Sequence, residues 1–353
     1  LVRKGGDFRG SLITPDENYR IHGSLESINL TLADKNTKPC AGCINESGLR
    51  RDPRSAAQSS HAWRKSDAGQ IDLMVIYPTE VKNDIGSLSQ TIAEIETAVA
   101  DANLCFRNSL VELSLRLVHI AETSYVPSGN LDIDLDRLTE KNDGFLDEIH
   151  NLRDQYGADI VTLLSTDSNS GGLAKTMTFP SINFEKSAFN VCVWDQITAP
   201  SYTLAHEIGH NLGCLHNRED VTYPEESAGN DYGAFAYGKR WFEDSIGYRT
   251  IMSYNDSEGS YQNSVPFFSN PNVSYLGVPT GNDGTENNAR ALSLSAPYAS
   301  NFRKAVVQGF LPSLFSLDVR SGSHSSLKLR LAVEPVNDIN VTLTLQNGQN
   351  FQI

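Results

Sequence analysis

The sequence predicts an α/β sandwich with crossover helices, and three observations carry that reading. Short, unbroken apolar runs at Ile71–Tyr77 (IDLMVIY) and Ala158–Leu164 (ADIVTLL) have the length and character of buried strands. Between them the apolar period lengthens to three or four residues, the stripe of a helix. The alternation strand, helix, strand, helix, strand then calls for crossover connections over one sheet.

In chain order, residues 1–65 stand apart. Alternating stretches over Tyr19–Leu32 lead to Lys38-Pro39-Cys40-Ala41-Gly42-Cys43. A polar, basic run from Arg50 to Lys65 follows and reads as an exposed linker open to proteases. Ile71–Tyr77 is the first buried strand, closed by Pro78. Leu88, Ile92, Ile95, Val99, Ala102 and Phe106 mark one face of a long helix. Val111, Leu113, Leu115 and Leu117 alternate with polar residues, as in a half-exposed strand. A second helical stretch covers Leu131–Tyr156, interrupted near Asp143-Gly144, with Gly157 suited to its C-terminal cap. Gly172–Thr178 and Ala188–Trp194 are further strand candidates. Helices are expected from Ser201 and over Asn288–Val306. Alternation at Leu317–Val319, Leu327–Val333 and Val341–Leu345 predicts a small antiparallel β module. The expected domains are therefore 1–65, 66–310 and 311–353.

Composition narrows the function. The chain has 353 residues, with 29 Lys+Arg against 43 Asp+Glu, a net charge of −14. That balance argues against nucleic acid, where a basic face supplies most of the affinity, and against an anionic membrane surface. No apolar run reaches the roughly 18 residues of a membrane-spanning helix. Leu1 is not an initiator Met and no signal-peptide core follows it, so the expectation is a processed or trimmed chain. Five cysteines (Cys40, Cys43, Cys105, Cys192, Cys214) are too few for a disulfide scaffold.

The chemistry is concentrated at 206–216, His-Glu-Ile-Gly-His-Asn-Leu-Gly-Cys-Leu-His. His206 and His210, four apart, share one helix face, a spacing suited to two ligands of one tetrahedral Zn²⁺. Glu207 can reach a metal-bound water without binding the metal. Gly213 permits positive φ, so the helix can stop and the chain reverse to bring in His216 as third ligand. Three protein ligands leave one coordination position open, the mark of a catalytic zinc site. Thr250-Ile251-Met252-Ser253-Tyr254 is a candidate turn whose Met252 would floor the site.

On these residues the sequence resembles the metzincin clan of zinc endopeptidases, and is similar to its reprolysin/adamalysin-like group and to bacterial peptidyl-Asp metalloendopeptidases. The likeness spans about Ile71 to Arg303. Its carriers include HEIGHNLGCLHN (206–217), GYRTIMSY (247–254), GGLA (171–174) and FSNPNV (268–273). The resemblance implies an α/β (α+β) metzincin fold, a twisted mixed sheet with crossover helices above a zinc cleft. It implies zinc on His206, His210 and His216, Glu207 as general base, and Gly172, Leu173 and Ala174 on the edge strand that pairs with substrate. It also implies a secreted, bacterial enzyme acting on proteins or peptides, with residues 1–65 as its propeptide. Asn217 departs from the Asp usual after the third His of adamalysins. Tyr254 resembles the astacin and serralysin tyrosine that approaches the metal. It could bind zinc at rest, donate to the developing oxyanion, or merely pack.

Thiolates bind zinc well, so Cys40 or Cys43 could hold the open site in a latent zymogen. The alternative is a Cys40–Cys43 disulfide. Cys192 and Cys214 flank the active-site helix and could form a disulfide; Cys105 reads as a buried thiol. Ca²⁺ at the acidic loops Asp167–Ser170 and Asn282–Glu286 has no support beyond composition. Arg249 is expected at the surface, unless it selects acidic substrate residues by charge pairing. The competing functions are a zinc-containing binding or surface module and a purely self-processing protein. An intact Glu207 argues against the first.

Overall fold

The structure is a computed structural model. It describes residues 2–4, 7–13, 18–24, 28–32, 38, 40, 43–45, 69–166, 169–220, 230–256, 261–306, 310–312 and 329–331. The chain divides into two compact units, Leu1–Lys304 and Ala305–Ile353. The expected linker at 50–65 lies outside the described residues.

The first unit opens with a four-stranded antiparallel meander: β1 (Val2–Lys4), β2 (Asp7–Ile13), β3 (Asn18–Ser24) and β4 (Ile28–Leu32). Arg9 reaches Glu94 at 3.9 Å, and the Arg20 guanidinium donates to the Asp195 carbonyl. These contacts seat the meander on the body of the molecule.

The body is built on a six-stranded mixed sheet. Its strands are β5 (Cys43–Asn45), β6 (Gln70–Pro78), β7 (Ser114–Thr123), β8 (Ile160–Ser165), β9 (Gly172–Thr176) and β10 (Phe189–Val193). The spatial order is β5-β9-β10-β8-β6-β7. β7, β6, β8 and β10 run parallel, while β9 is antiparallel to β10. β5 lies parallel to β9, Cys43 facing Ala174 and Asn45 facing Thr176.

β6 shows why its run is apolar throughout. Ile71, Leu73, Val75 and Tyr77 join one core and Met74 and Ile76 the other, because successive side chains of a strand leave by opposite faces. The first core is closed by α1 (Thr79–Ile85), α2 (Leu88–Asn108), α5 (Thr203–Asn211) and α6 (Asn288–Ala299). The second is closed by α3 (Leu131–Thr139) and α4 (Asp147–Tyr156). Asp72, the polar residue in this run, is held by a bidentate pair with Arg116 at 2.6 Å on both arms. Bidentate geometry is the strong form of such a pair.

Two boundaries differ from expectation. The strand expected from Val111 starts at Ser114, because the Val111 amide donates to the Phe106 carbonyl and closes α2. The stretch 131–156 breaks where expected, near Asp143-Gly144, into two helices. Asn142, Gly144 and Leu146 between them all take positive φ, and Asp147 accepts from the Asn142 and Gly144 amides, so the chain restarts rather than continues. α6 also ends at Ala299, short of Val306.

Among its described residues the second unit has one antiparallel pair, Phe310–Pro312 with Leu329–Leu331. The strands expected around Leu317–Val319 and Val341–Leu345 lie outside the described residues.

Candidate metal centre

All nine residues of α5 are buried. His206 and His210 sit one turn apart on it, ring centroids 4.8 Å from each other. The helix stops as the sequence requires. Gly213 has φ +89°, and a Cβ there would stand 2.4 Å from the Tyr232 ring, so only glycine fits. The Gly213 and Cys214 amides donate back to the His210 and Gly209 carbonyls. The reversed chain becomes β11 (Leu215–Asn217), which pairs in parallel with β12 (Tyr237–Gly238) and delivers His216.

The three imidazoles converge through Nε2. The edges of the nitrogen triangle are 3.0, 3.1 and 3.2 Å. Two nitrogens on a tetrahedral Zn²⁺, each about 2.05 Å from it, would be about 3.3 Å apart. The tautomers suit the same purpose. Nδ1 of His206 donates to the Ile251 carbonyl at 2.9 Å, and Nδ1 of His210 to the Cys214 carbonyl at 2.8 Å. A carbonyl only accepts, so each of these Nε2 atoms presents its lone pair. Burial and the neighbouring His216 push His206 down to about 3 and His210 well below the usual histidine range. Both are therefore neutral at pH 7, the form that binds a cation. The donor set fits a metal.

Glu207 is fully buried beside this triangle and its Oε1 has no hydrogen-bond partner. Burial pushes its carboxyl well up, opposed by the Cys40 thiol. Gly172 leaves room for it, since a Cβ there would stand 2.6 Å from Oε1. Cys40 Sγ lies 3.8 Å from Glu207 Oε2 and 4.0 Å from His210 Nε2. The four ligand atoms of Cys40, His206, His210 and His216 fall within 4.8 Å of one another. Among the described residues no second such group of three or more exists. The loop Asn282–Glu286 is tied up by its own bonds, Gly284 N–H to Asn282 and Asn287 to Asp283; Asp167 lies outside the described residues.

Met252 is fully buried in a turn, and a Cβ on Gly209 would stand 2.7 Å from its Sδ. The turn thus packs directly on the backbone of the motif helix. Tyr254 OH stands 2.6 Å from His216 Nε2 and donates at 3.5 Å toward the Cys40 carbonyl.

Gly172, Leu173 and Ala174 lie on β9, where the Gly172 backbone abuts Glu207, and Cys43–Asn45 pairs along the outer side of that strand. Other expectations are corrected. Cys192 and Cys214 form no disulfide. Both are free buried thiols with different surroundings: Cys192 faces Asn190 Oδ1 at 3.6 Å, and Cys214 the Asn288 carbonyl at 3.7 Å. Cys40 forms no disulfide either, so it is not bridged to Cys43, whose side chain lies outside the described residues. Cys105 is buried, as expected. Arg249 is buried rather than at the surface and donates to the Ser253 carbonyl at 2.6 Å, bracing the turn that carries Met252. Sequence reasoning passed over Gln196, which accepts from the Lys38 amide at 3.4 Å, and Gly171, where a Cβ would stand 2.8 Å from the Lys38 carbonyl. The Gly-Gly pair 171–172 was the available signal for so close a backbone approach.

Residues 67–268 match the family model Reprolysin_5, metallo-peptidase family M12. The chain belongs to the M12 metallopeptidase family. It is similar to the peptidyl-Asp metalloendopeptidase of Xanthomonas campestris pv. campestris, with 33% identity over 310 residues, 86% of this chain and 69% of that one. The corresponding protein of Stenotrophomonas maltophilia strain K279a is 30% identical over 308 residues, 86% of this chain and 70% of its own. A solved chain from a chaperone-substrate complex shares the fold at TM-score 0.50 and 18% identity, covering 83% of this chain and 39% of that one. The metallopeptidase is an endopeptidase, a hydrolase whose substrates are proteins or peptides. Among its described residues no helix is long and apolar enough to cross a membrane.

Proposed function

We propose that this metallopeptidase is a secreted zinc endopeptidase held latent by its own N-terminal segment. The observation that carries the reading is the convergence of three imidazole nitrogens, a buried carboxyl group and a thiol on one point. His206, His210 and His216 would hold the zinc ion, which when bound supplies Lewis acidity toward water and the scissile carbonyl. Glu207 takes the proton of the attacking water and returns it to the leaving amine. The absence of a partner on Oε1 suits a base that must accept a proton. Tyr254 OH donates to the oxyanion as it develops. β9 offers its outer N–H and C=O groups to the substrate backbone.

Latency rests on three contacts of residues 1–65. Cys40 takes the position a water would need, Cys43–Asn45 occupies the outer edge of β9, and Lys38 is received by Gln196 and Gly171. On this reading 1–65 is the propeptide, 66–310 the catalytic domain and 311–353 a C-terminal β extension. The relatives named for peptidyl-Asp cleavage support an acidic residue beside the cut. Arg249, a buried cation that donates to the Ser253 carbonyl next to Tyr254, would favour such a residue by charge.

The test uses the full chain, nicked by trypsin in the Arg50–Lys65 stretch, on a complex peptide mixture read by mass spectrometry. Cleavage should disappear with a chelator, return with Zn²⁺, and be absent in Glu207→Ala. Acidic residues should be enriched at the cuts. No cleavage by the nicked, zinc-loaded chain would leave a binding module or a self-processing protein as the better description.

A further inference from the structure

We infer that Asn217 is a positioning residue for the reaction, acting through Tyr254. Asn217 follows His216 on β11 and is fully buried. Its Oδ1 accepts from the Tyr254 backbone amide at 2.9 Å, and its Nδ2 donates to Glu219 Oε2 at 3.3 Å. The partners fix the orientation of the amide. A backbone N–H can only donate and a carboxylate only accept, so Oδ1 must face Tyr254 and Nδ2 must face Glu219.

This couples two parts of the site that are 37 residues apart in sequence. His216 and Asn217 are neighbours on one three-residue strand. One presents an imidazole; the other grips the backbone of the residue whose hydroxyl lies 2.6 Å from that imidazole. The rings of His216 and Tyr254 are 4.2 Å apart. The turn comes within reach because Gly238, the parallel partner of Asn217, has no Cβ; one there would stand 2.9 Å from the Ser253 amide. Tyr254 is thereby held by the same strand that supplies His216, rather than by the turn alone.

The pairing also accounts for Asn at this position. Asp would still accept from Tyr254, but it would set a second carboxylate against Glu219. An apolar residue would take from the Tyr254 amide the acceptor that Asn217 supplies, a change that the variants below read as a loss of rate. Asn217 and Glu219 are a matched set.

The inference rests on the proposed role of Tyr254, and its test separates the two. The trypsin-nicked full chain is compared with Asn217→Ala, Tyr254→Phe and the double variant. Asn217→Ala should lower kcat about tenfold with KM little changed, as small misplacements in a site do. Tyr254→Phe should lower kcat by about tenfold or more, the loss of one oxyanion donor. The double variant should be no worse than Tyr254→Phe alone, because the two act as one unit. Bound zinc, measured by elemental analysis, should remain at one equivalent in each. Should Asn217→Ala fold poorly, Asn217→Asp serves in its place. It should be impaired, and Asn217→Asp with Glu219→Gln should recover most of kcat, since the introduced glutamine amide can donate to the new carboxylate. A double variant in which the two losses multiply, or an Asn217→Asp defect untouched by Glu219→Gln, overturns the positioning role while leaving the Tyr254 reading in place. A Tyr254→Phe variant with undiminished kcat overturns both.

Discussion

At Gly172 the backbone passes so close to Glu207 that a Cβ would stand 2.6 Å from Oε1 and 2.9 Å from Cδ. Gly172→Ala must therefore displace the carboxylate, and its kcat should approach that of Glu207→Ala, a loss of about 10²-fold or more for a missing proton acceptor. Both variants should keep their zinc, as elemental analysis would show, because the three imidazoles are untouched. His150 allows a pH prediction away from the centre. Its Nε2 bonds the Glu140 carbonyl at 3.0 Å, and Phe189 packs edge-on to its ring. Burial, the largest influence, lowers its pKa, opposed by the Glu140 carbonyl; Lys141 and Arg153 lower it further and Asp147 raises it. On acidification the unfolded chain takes up this proton first, so stability is full above about pH 6.5 and declines as pH falls below it, by at most about 1.4 kcal/mol per pH unit for one group. Urea midpoints between about pH 8 and 5 should show this slope, shallower in His150→Gln. The convergence of His206 and His210 was legible in the sequence, because their spacing alone puts them on one helix face. The brace on Tyr254 was not, since no local pattern announces that an Asn will bond an amide 37 residues on.

Elements were read well where burial was two-sided. β6 and β8 appear where unbroken apolar runs stand, and α2 where the three-four spacing stands. Reading faltered where a backbone group was claimed from outside the element, as at Val111. β5 was illegible for a simpler reason: three residues acquire a strand only because β9, about 130 positions later, offers its edge. The prediction at this scale concerns that segment. Cys40→Ser in the intact, un-nicked chain removes the thiol from beside Glu207 and His210 but leaves the β5 pairing. Basal peptide cleavage should rise about tenfold, the worth of one contact of about 1.4 kcal/mol, and stay below that of the nicked enzyme. A variant as silent as the parent chain would assign latency to the strand alone.

Across the whole molecule, Arg303 marks where the first unit is completed. Beyond the end of α6 its amide donates to Asp159 at 2.9 Å and its guanidinium to Asp154 at 2.7 Å, with a further pair to Glu185. One residue thus ties the chain leaving α6 to the start of β8 and the end of α4. A chain ending at Lys304 should fold and, once nicked, cleave peptides within about twofold of the longer one. Arg303→Ala should lower the unfolding free energy by about 2 kcal/mol, the worth of charge-assisted hydrogen bonds; chemical denaturation measures both. The sequence suggested a boundary at 310/311, from where the alternating pattern begins, while the compact units divide at 304/305.

Pairing of Cys43–Asn45 with β9 also bears on handling. While the segment is in place, it covers the outer amides and carbonyls of β9 at Ala174–Thr176. Were it to leave, as the proposed latency requires, β9 would present that row in every copy, and two copies at high concentration could join edge to edge. On that proposal the nicked enzyme keeps best dilute or saturated with peptide, and the intact chain is the form to concentrate, ship and stockpile.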